Sequence, residues 1–238
     1  MKKIILLFVI TFTFISCAEL QDIANQLPQN SGQLTQQQIG NGLKEALNNG
    51  IEKEVSKLTK TDGFYRNEAV KILMPPELRK VENGLRKIGL GNLADEGVKA
   101  LNRAAEDAVK EATPIFISAV KDMSFTDAKN ILLGNERAAT SYLETKTSAQ
   151  LYNKFNPVIE NSFSKVGADQ IWTNLITRYN QIPLVENVNP DLTDYVTNRA
   201  LHGVFQMIAK EEIEIRNNLN ARTSDLLRRV FALQDNKS

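Results

Sequence analysis

An all-α fold, a single irregular multi-helix bundle with Pro-kinked helices behind a signal peptide and a flexible tether, is what this sequence of 238 residues predicts. Three observations carry it. From about residue 35 onward apolar residues recur at spacings of three and four, the stripe of an amphipathic helix. Those stripes are punctuated by Thr or Ser at their starts and Gly at their ends. No fixed-period repeat appears, so the helices do not form a solenoid.

The N-terminus stands apart from that pattern. Lys2 and Lys3 precede an apolar run from Ile4 to Ile15, softened only by Thr11 and Thr13. A membrane-spanning helix needs roughly 20 apolar residues, whereas a secretory h-region needs 7–15. The run therefore reads as a targeting segment. It leads into Phe14-Ile15-Ser16-Cys17, with Cys17 the only cysteine of the chain. This resembles the lipobox of bacterial lipoprotein signal peptides, with Phe14 in place of the usual Leu. The resemblance implies that Cys17 carries lipid on sulfur, that residues 1–16 are removed, and that the new amino terminus is acylated. An intrachain disulfide is excluded for want of a second thiol. Acyl chains contribute about 0.8 kcal/mol per buried CH₂, so several of them make attachment stable.

Residues 17–34 follow as the lipidated cysteine and its tether. AELQDIANQLPQNSGQL is rich in Gln and Asn, holds Pro28 and Gly32, and has too little apolar area to offset its ordering entropy. Its reach is on the order of 20–25 Å, which lifts a domain off a bilayer without fixing its orientation. Loss of Lys2 and Lys3 leaves 27 basic and 28 acidic residues. That balance gives no basic stripe for nucleic acid.

Residues 35–238 are then one all-helical domain, long enough for a sizeable core. Thr35 caps a first helix with Ile39, Leu43, Leu47, Ile51, Val55 and Leu58 on one face, and Asp62-Gly63 turns the chain. Val70 to Met74 is extended, because Met74 precedes Pro75. Pro76 begins a helix through Leu78, Val81, Leu85 and Ile88 that Gly89 closes. A long pattern from Asn92 to Met123 is rich in alanine and is kinked or split at Pro114, with Thr113 capping its second half. Thr126 caps a short helix that Gly134 closes, and another runs through ERAATSYLETK. Thr147 caps a further one that contains Pro157. Ile171, Trp172, Leu175, Ile176 and Tyr179 mark the next, and Leu192, Val196, Ala200, Val204, Phe205 and Ile208 another. Thr223 or Ser224 caps the last, with Leu226, Leu227, Val230 and Phe231 inward.

Chemistry is sparse along this frame. Gly89-Leu90-Gly91-Asn92-Leu93-Ala94 fits a dinucleotide string but follows a helix rather than a strand, so it is a helix–helix turn. His202 is the only histidine. It cannot supply the three ligands of a zinc site, no G-x-S-x-G elbow accompanies it, and it reads as a partly buried packing residue. Glu211, Glu212 and Glu214 before Arg216 read as a solvated helix face. The one polar group that reads as a candidate site is Arg103, Asp107, Asp127 and Arg137, with Arg103 and Asp107 one helical turn apart. No cofactor and no metal is expected.

GLKEALNNGIEKEV (42–55), DGFYRNEAVKILMPPELRKVENGLRKIGLG (62–91), LNRAAEDAVKEATPIFISAVKDMSFTDAKNILLGNERAATSYL (101–143), DLTDYVTNRALHGVFQMIAKEEIEIR (191–216) and ARTSDLLRRVFAL (221–233) together resemble a bacterial family known as domain of unknown function 4197. The resemblance implies an all-helical exported domain, often lipidated, and brings no catalytic residue. His202 stands where relatives of the ALDGLF type carry an acid, and Asn218-Leu219-Asn220 replaces a turn that more often holds Pro.

The expected function is a non-enzymatic envelope lipoprotein, held to a membrane through Cys17 and offering its domain to an envelope protein or the cell wall. Ala18 in place of Asp after Cys17 favours the outer membrane, facing the periplasm. A carrier of an apolar ligand is the alternative, with Phe155, Phe163, Trp172 and Phe205 lining a cavity opened by Pro114 and Pro157. An enzyme using the Arg103, Asp107, Asp127 and Arg137 group is the third.

Overall fold

A computed structural model describes residues 34–79, 91–165 and 191–235, with isolated positions between these segments. The described residues from Thr35 onward belong to one compact unit. All regular structure among them is helical: α1 (Gln36–Leu58), α2 (Gly91–Ala108), α3 (Ala112–Lys121), α4 (Phe125–Leu132), α5 (Ala138–Ser164), α6 (Leu192–Asn217) and α7 (Asp225–Asp235), with single 3₁₀ turns at Pro76–Leu78, Val109–Glu111 and Leu219–Ala221.

Helix α1 begins as its sequence dictates. The Thr35 hydroxyl accepts the Gln38 amide while the Gln38 side chain accepts the Thr35 amide, a reciprocal box that satisfies two otherwise orphaned donors. Its apolar stripe, with Gly42, Ala46 and Gly50 between the larger residues, is buried against α3, α4, α6 and α7. Gly42 lets α7 approach closely, since a Cβ there would lie 2.7 Å from a Val230 methyl.

Helix α6 is the axis of the bundle. Val196, Ala200, Val204, Phe205 and Ile208 are buried along it, and α5 lies against it for most of its length. Phe205 meets Phe116 of α3 edge to face, with ring centroids 5.7 Å apart. Leu151, Phe155, Ile159 and Phe163 fill the α5 side of the same core.

Several boundaries differ from the sequence expectation. Ser124, not Thr126, caps α4, with Asp127 closing the box from the third helical position. Pro114 falls in the first turn of α3, where its missing N–H costs nothing. The break expected there is the 3₁₀ turn at Val109–Glu111, and Thr113 caps nothing, since α3 starts one residue earlier. Thr147 starts no helix either. It lies buried within the 27-residue α5, and its hydroxyl bonds the Leu143 carbonyl at 2.6 Å. Back-bonding of this kind satisfies a buried hydroxyl without ending a helix. Pro157 sits inside α5, which continues through it. The helix expected around Ile171 to Tyr179, with Trp172, lies outside the described residues, as do Val81, Leu85 and Ile88.

Candidate functional site

Asp62, at the turn after α1, has φ 68°, a left-handed conformation that Asp tolerates better than most residues. The irregular segment from Gly63 to Pro75 follows and packs on α2 and α6. Gly203 of α6 makes room for it, because a Cβ there would lie 2.8 Å from the Phe64 ring. Two polar residues buried on α2 hold this segment. Asn102 accepts the Ile72 amide through Oδ1 and donates to the Ile72 carbonyl through Nδ2, both at 2.8 Å. Its amide thus pairs with the extended backbone as a neighbouring strand would. One turn on, Glu106 Oε1 accepts the amides of Phe64 and Tyr65 at 3.1 and 3.3 Å. Glu106 Oε2 pairs with Arg103, whose second guanidinium nitrogen reaches Asp62 at 2.5 Å. The Glu106 carboxylate, followed by Asp62, raises the Arg103 pKa above its ordinary value.

A second polar station lies in the C-terminal half of α6, where Glu212 and Arg216 each meet the end of another helix. Glu212 accepts the amides of Ala139 and Thr140, and the Thr140 hydroxyl, at the N-terminus of α5. Arg216, paired with Glu212 at 2.8 Å, donates to the carbonyls of Ile131 and Leu132 at the C-terminus of α4. Arg222, 1 % exposed, donates to the carbonyls of Ile215 and Arg216 at the C-terminus of α6 and pairs with Asp235 at 2.6 Å. That guanidinium holds the Asp235 carboxyl below its usual range. Negative charge sits at a helix N-terminus and positive charge at two C-termini, as the helix dipole favours, and otherwise orphaned backbone groups are satisfied at the same time. Glu212 and Arg216 are therefore not part of a solvated face. They are buried because three helix ends converge on them.

Set against these stations, the four sequence candidates go to separate bonds. Arg103 serves the first station. Asp107, one turn away, is exposed and pairs with Lys110 at 2.7 Å. Asp127 Oδ2 accepts the Ser124 amide and hydroxyl, which lowers its pKa, and Arg137 lies 3.6 Å from Glu144. Cys17 lies outside the described residues. His202 is exposed on α6 rather than partly buried, on the face turned from the core residues Leu201 and Gly203.

Cavities also open among the described residues. One of about 30 Å³ lies between α1 and α6 beside Gly50, Ile208 and Glu211, room for a single water. A polar cleft of about 210 Å³ is lined by Asp122, Asp127, Tyr142 and Lys146. An apolar groove of about 410 Å³ runs between α1, α4 and α7, lined by Ile39, Phe125, Leu132, Leu133 and Leu233 with Gln36 and Lys129. Among the described residues no group of three His, Cys, Asp or Glu side chains is placed to hold a metal ion. No helix among them is long and apolar enough to cross a membrane.

Sequence reasoning missed Asn102, Glu106, Glu212 and Arg222 as organising residues. The available signal was Glu212 and Arg216 at i, i+4, which marks an ion pair but not its burial. Neither curated proteins nor solved structures contain a match to this chain. A family model described as protein of unknown function (DUF4197) matches residues 33–232.

Proposed function

The chain belongs to this family of proteins of unknown function, and from that premise we propose that it is a lipid-anchored envelope protein whose helical domain is a non-enzymatic interaction module. The single observation that carries the reading is Phe14-Ile15-Ser16-Cys17 directly behind a short apolar run and two lysines. A thiol placed there accepts lipid, and the chain supplies no other cysteine to compete for the role. Ala18 after Cys17 supports an outer-membrane destination, facing the periplasm.

The use of the charged residues supports an interaction module over an enzyme. Glu106 is spent on amides of the irregular segment, and Glu212, Arg216 and Arg222 on backbone groups that the helix ends leave unsatisfied. Arg103, Asp107, Asp127 and Arg137 bond to four different sets of partners. Carriage of an apolar ligand inside the bundle draws less support. Phe155 and Phe163 are fully packed, and Phe205 meets Phe116 edge to face.

The test is Cys17→Ala in the full chain, expressed in cells with its leader. The wild-type protein is expected in the membrane fraction and labelled by a fatty-acid probe, and the variant in neither. A variant that stays with the membrane and keeps the label overturns the reading.

A further inference from the structure

Resting on the anchored reading above, we infer that the apolar groove between α1, α4 and α7 is a membrane-docking face, which settles on the anionic lipid surface that holds Cys17. A tether alone leaves the domain free to tumble; this face gives it an orientation.

The groove is apolar along its length and open to solvent. Leu233 on its wall is 38 % exposed, one of few large apolar side chains so placed among the described residues. Leu132 is buried at its floor, and Ile39, Phe125 and Leu133 are half-buried along it. A concave apolar surface is filled most readily by deformable material. Acyl segments of the outermost lipids conform to it, whereas a rigid protein partner must match its shape.

Charge selects the kind of surface. Among the described residues Lys129 is the one charged side chain lining the groove, and no carboxylate lines it. The first turn of α1 on the same rim is Gln36, Gln37 and Gln38, with no acid to offset the positive end of the helix dipole. Both features face an anionic lipid surface favourably and a cationic one unfavourably.

Position supplies the third argument. Gln36 on the groove wall is two residues beyond Leu34, where the segment leading from Cys17 ends. The groove is thus at the point where an anchored chain enters the domain. A tether that short raises the effective concentration of the surface to the millimolar range, so a contact too weak to hold a free domain suffices for an anchored one.

The experiment uses the full lipidated chain in vesicles of phosphatidylethanolamine and phosphatidylglycerol. Cys17 is acylated and the chain has no other thiol, so each new cysteine is a unique attachment point for an environment-sensitive fluorophore. Leu133→Cys and Leu233→Cys report on the groove. Lys60→Cys, exposed just past the far end of the 23-residue α1 and about 35 Å from Gln36, is the control. The groove labels are expected to blue-shift, brighten several-fold and be quenched by brominated lipid, while the Lys60 label stays aqueous. Lys129→Glu is expected to reduce the docked signal several-fold in these vesicles and much less in neutral ones. Groove labels that stay aqueous on protein that floats with the vesicles overturn the inference but leave the anchor intact. A blue shift that grows with protein concentration without lipid assigns the groove to a second copy and also overturns it. Protein that fails to float overturns the anchored reading and the docking face with it.

Discussion

On α2, Asn102 and Glu106 hold an irregular stretch of backbone; on α6, Glu212 and Arg216, with Arg222 just beyond, hold the ends of three helices. Both stations bury polar side chains to satisfy backbone groups, yet they are built differently. The first rests on a neutral amide and one carboxylate whose cation, Arg103, is 32 % exposed and in contact with water. The second is a buried ion pair with no such outlet. The comparison teaches where the bundle can tolerate change. Water can replace a lost partner at the first station, but a charge orphaned at the second has nowhere to go.

The largest effect is therefore expected at the second station. Arg216→Met strands the Glu212 carboxylate and frees two carbonyls of α4, at a cost of about 3–5 kcal/mol, read by chemical denaturation. Replacing both partners, Glu212→Gln with Arg216→Met, is expected to recover part of that loss, because neither charge is left buried without its partner. A double variant less stable than Arg216→Met would break the comparison, since it would make the charges themselves the source of stability.

Asn102→Leu comes next. It removes both bonds to Ile72 and leaves a buried amide and carbonyl unpaired, so about 1–3 kcal/mol is expected. Amide exchange over Phe64 to Ile72 is expected to quicken while that of α4 and α5 stays slow. Uniform loss of protection instead would show that the segment is not held separately. Glu106→Gln keeps an acceptor for Phe64 and Tyr65 but gives up the charge and the oxygen that accepts from Arg103, a partly exposed guanidinium that keeps Asp62. It should cost about 1 kcal/mol, less than either change above.

The two stations also explain what could be read from the sequence. Helix α1 was legible to its first residue, because Thr35, Gln38 and the stripe from Leu43 to Leu58 all state the same local preference. Caps were less legible: Thr126 has the right chemistry for a start, but the box that Ser124 closes with Asp127 selects Ser124. Thr147 looked like a start because a threonine at a helix start and one bonded back to its own helix are the same in one dimension. The buried stations were illegible for a stronger reason. EEIEIR reads as surface because its burial depends on α4 ending and α5 beginning beside α6, a long-range fact. Arg103 was expected beside Asp107, the right spacing on one helix, but Asp62 and Glu106 take it through the fold.

The smallest effect lies at the opposite end of α6, where the polar contact is partly exposed and the comparison can be sharpened by pH. The Tyr152 hydroxyl on α5 donates to Asp194 at 2.7 Å, in the first turn of α6. That bond, together with burial and the nearby Asp191, pushes the phenol up to about 12. An unfolded tyrosine ionises near 10. Because the folded value is the higher one, the contact's stabilisation is fully present below pH about 10 and is lost as pH rises toward 12. Tyr152→Phe removes this contribution, so the stability gap between wild type and variant is expected to be constant at neutral pH and to narrow between pH 10 and 12. If the Tyr152→Phe gap stayed flat, the phenol would contribute by packing alone, and the α6 N-terminus would be fixed by Asp191 and its bond to the Asp194 amide.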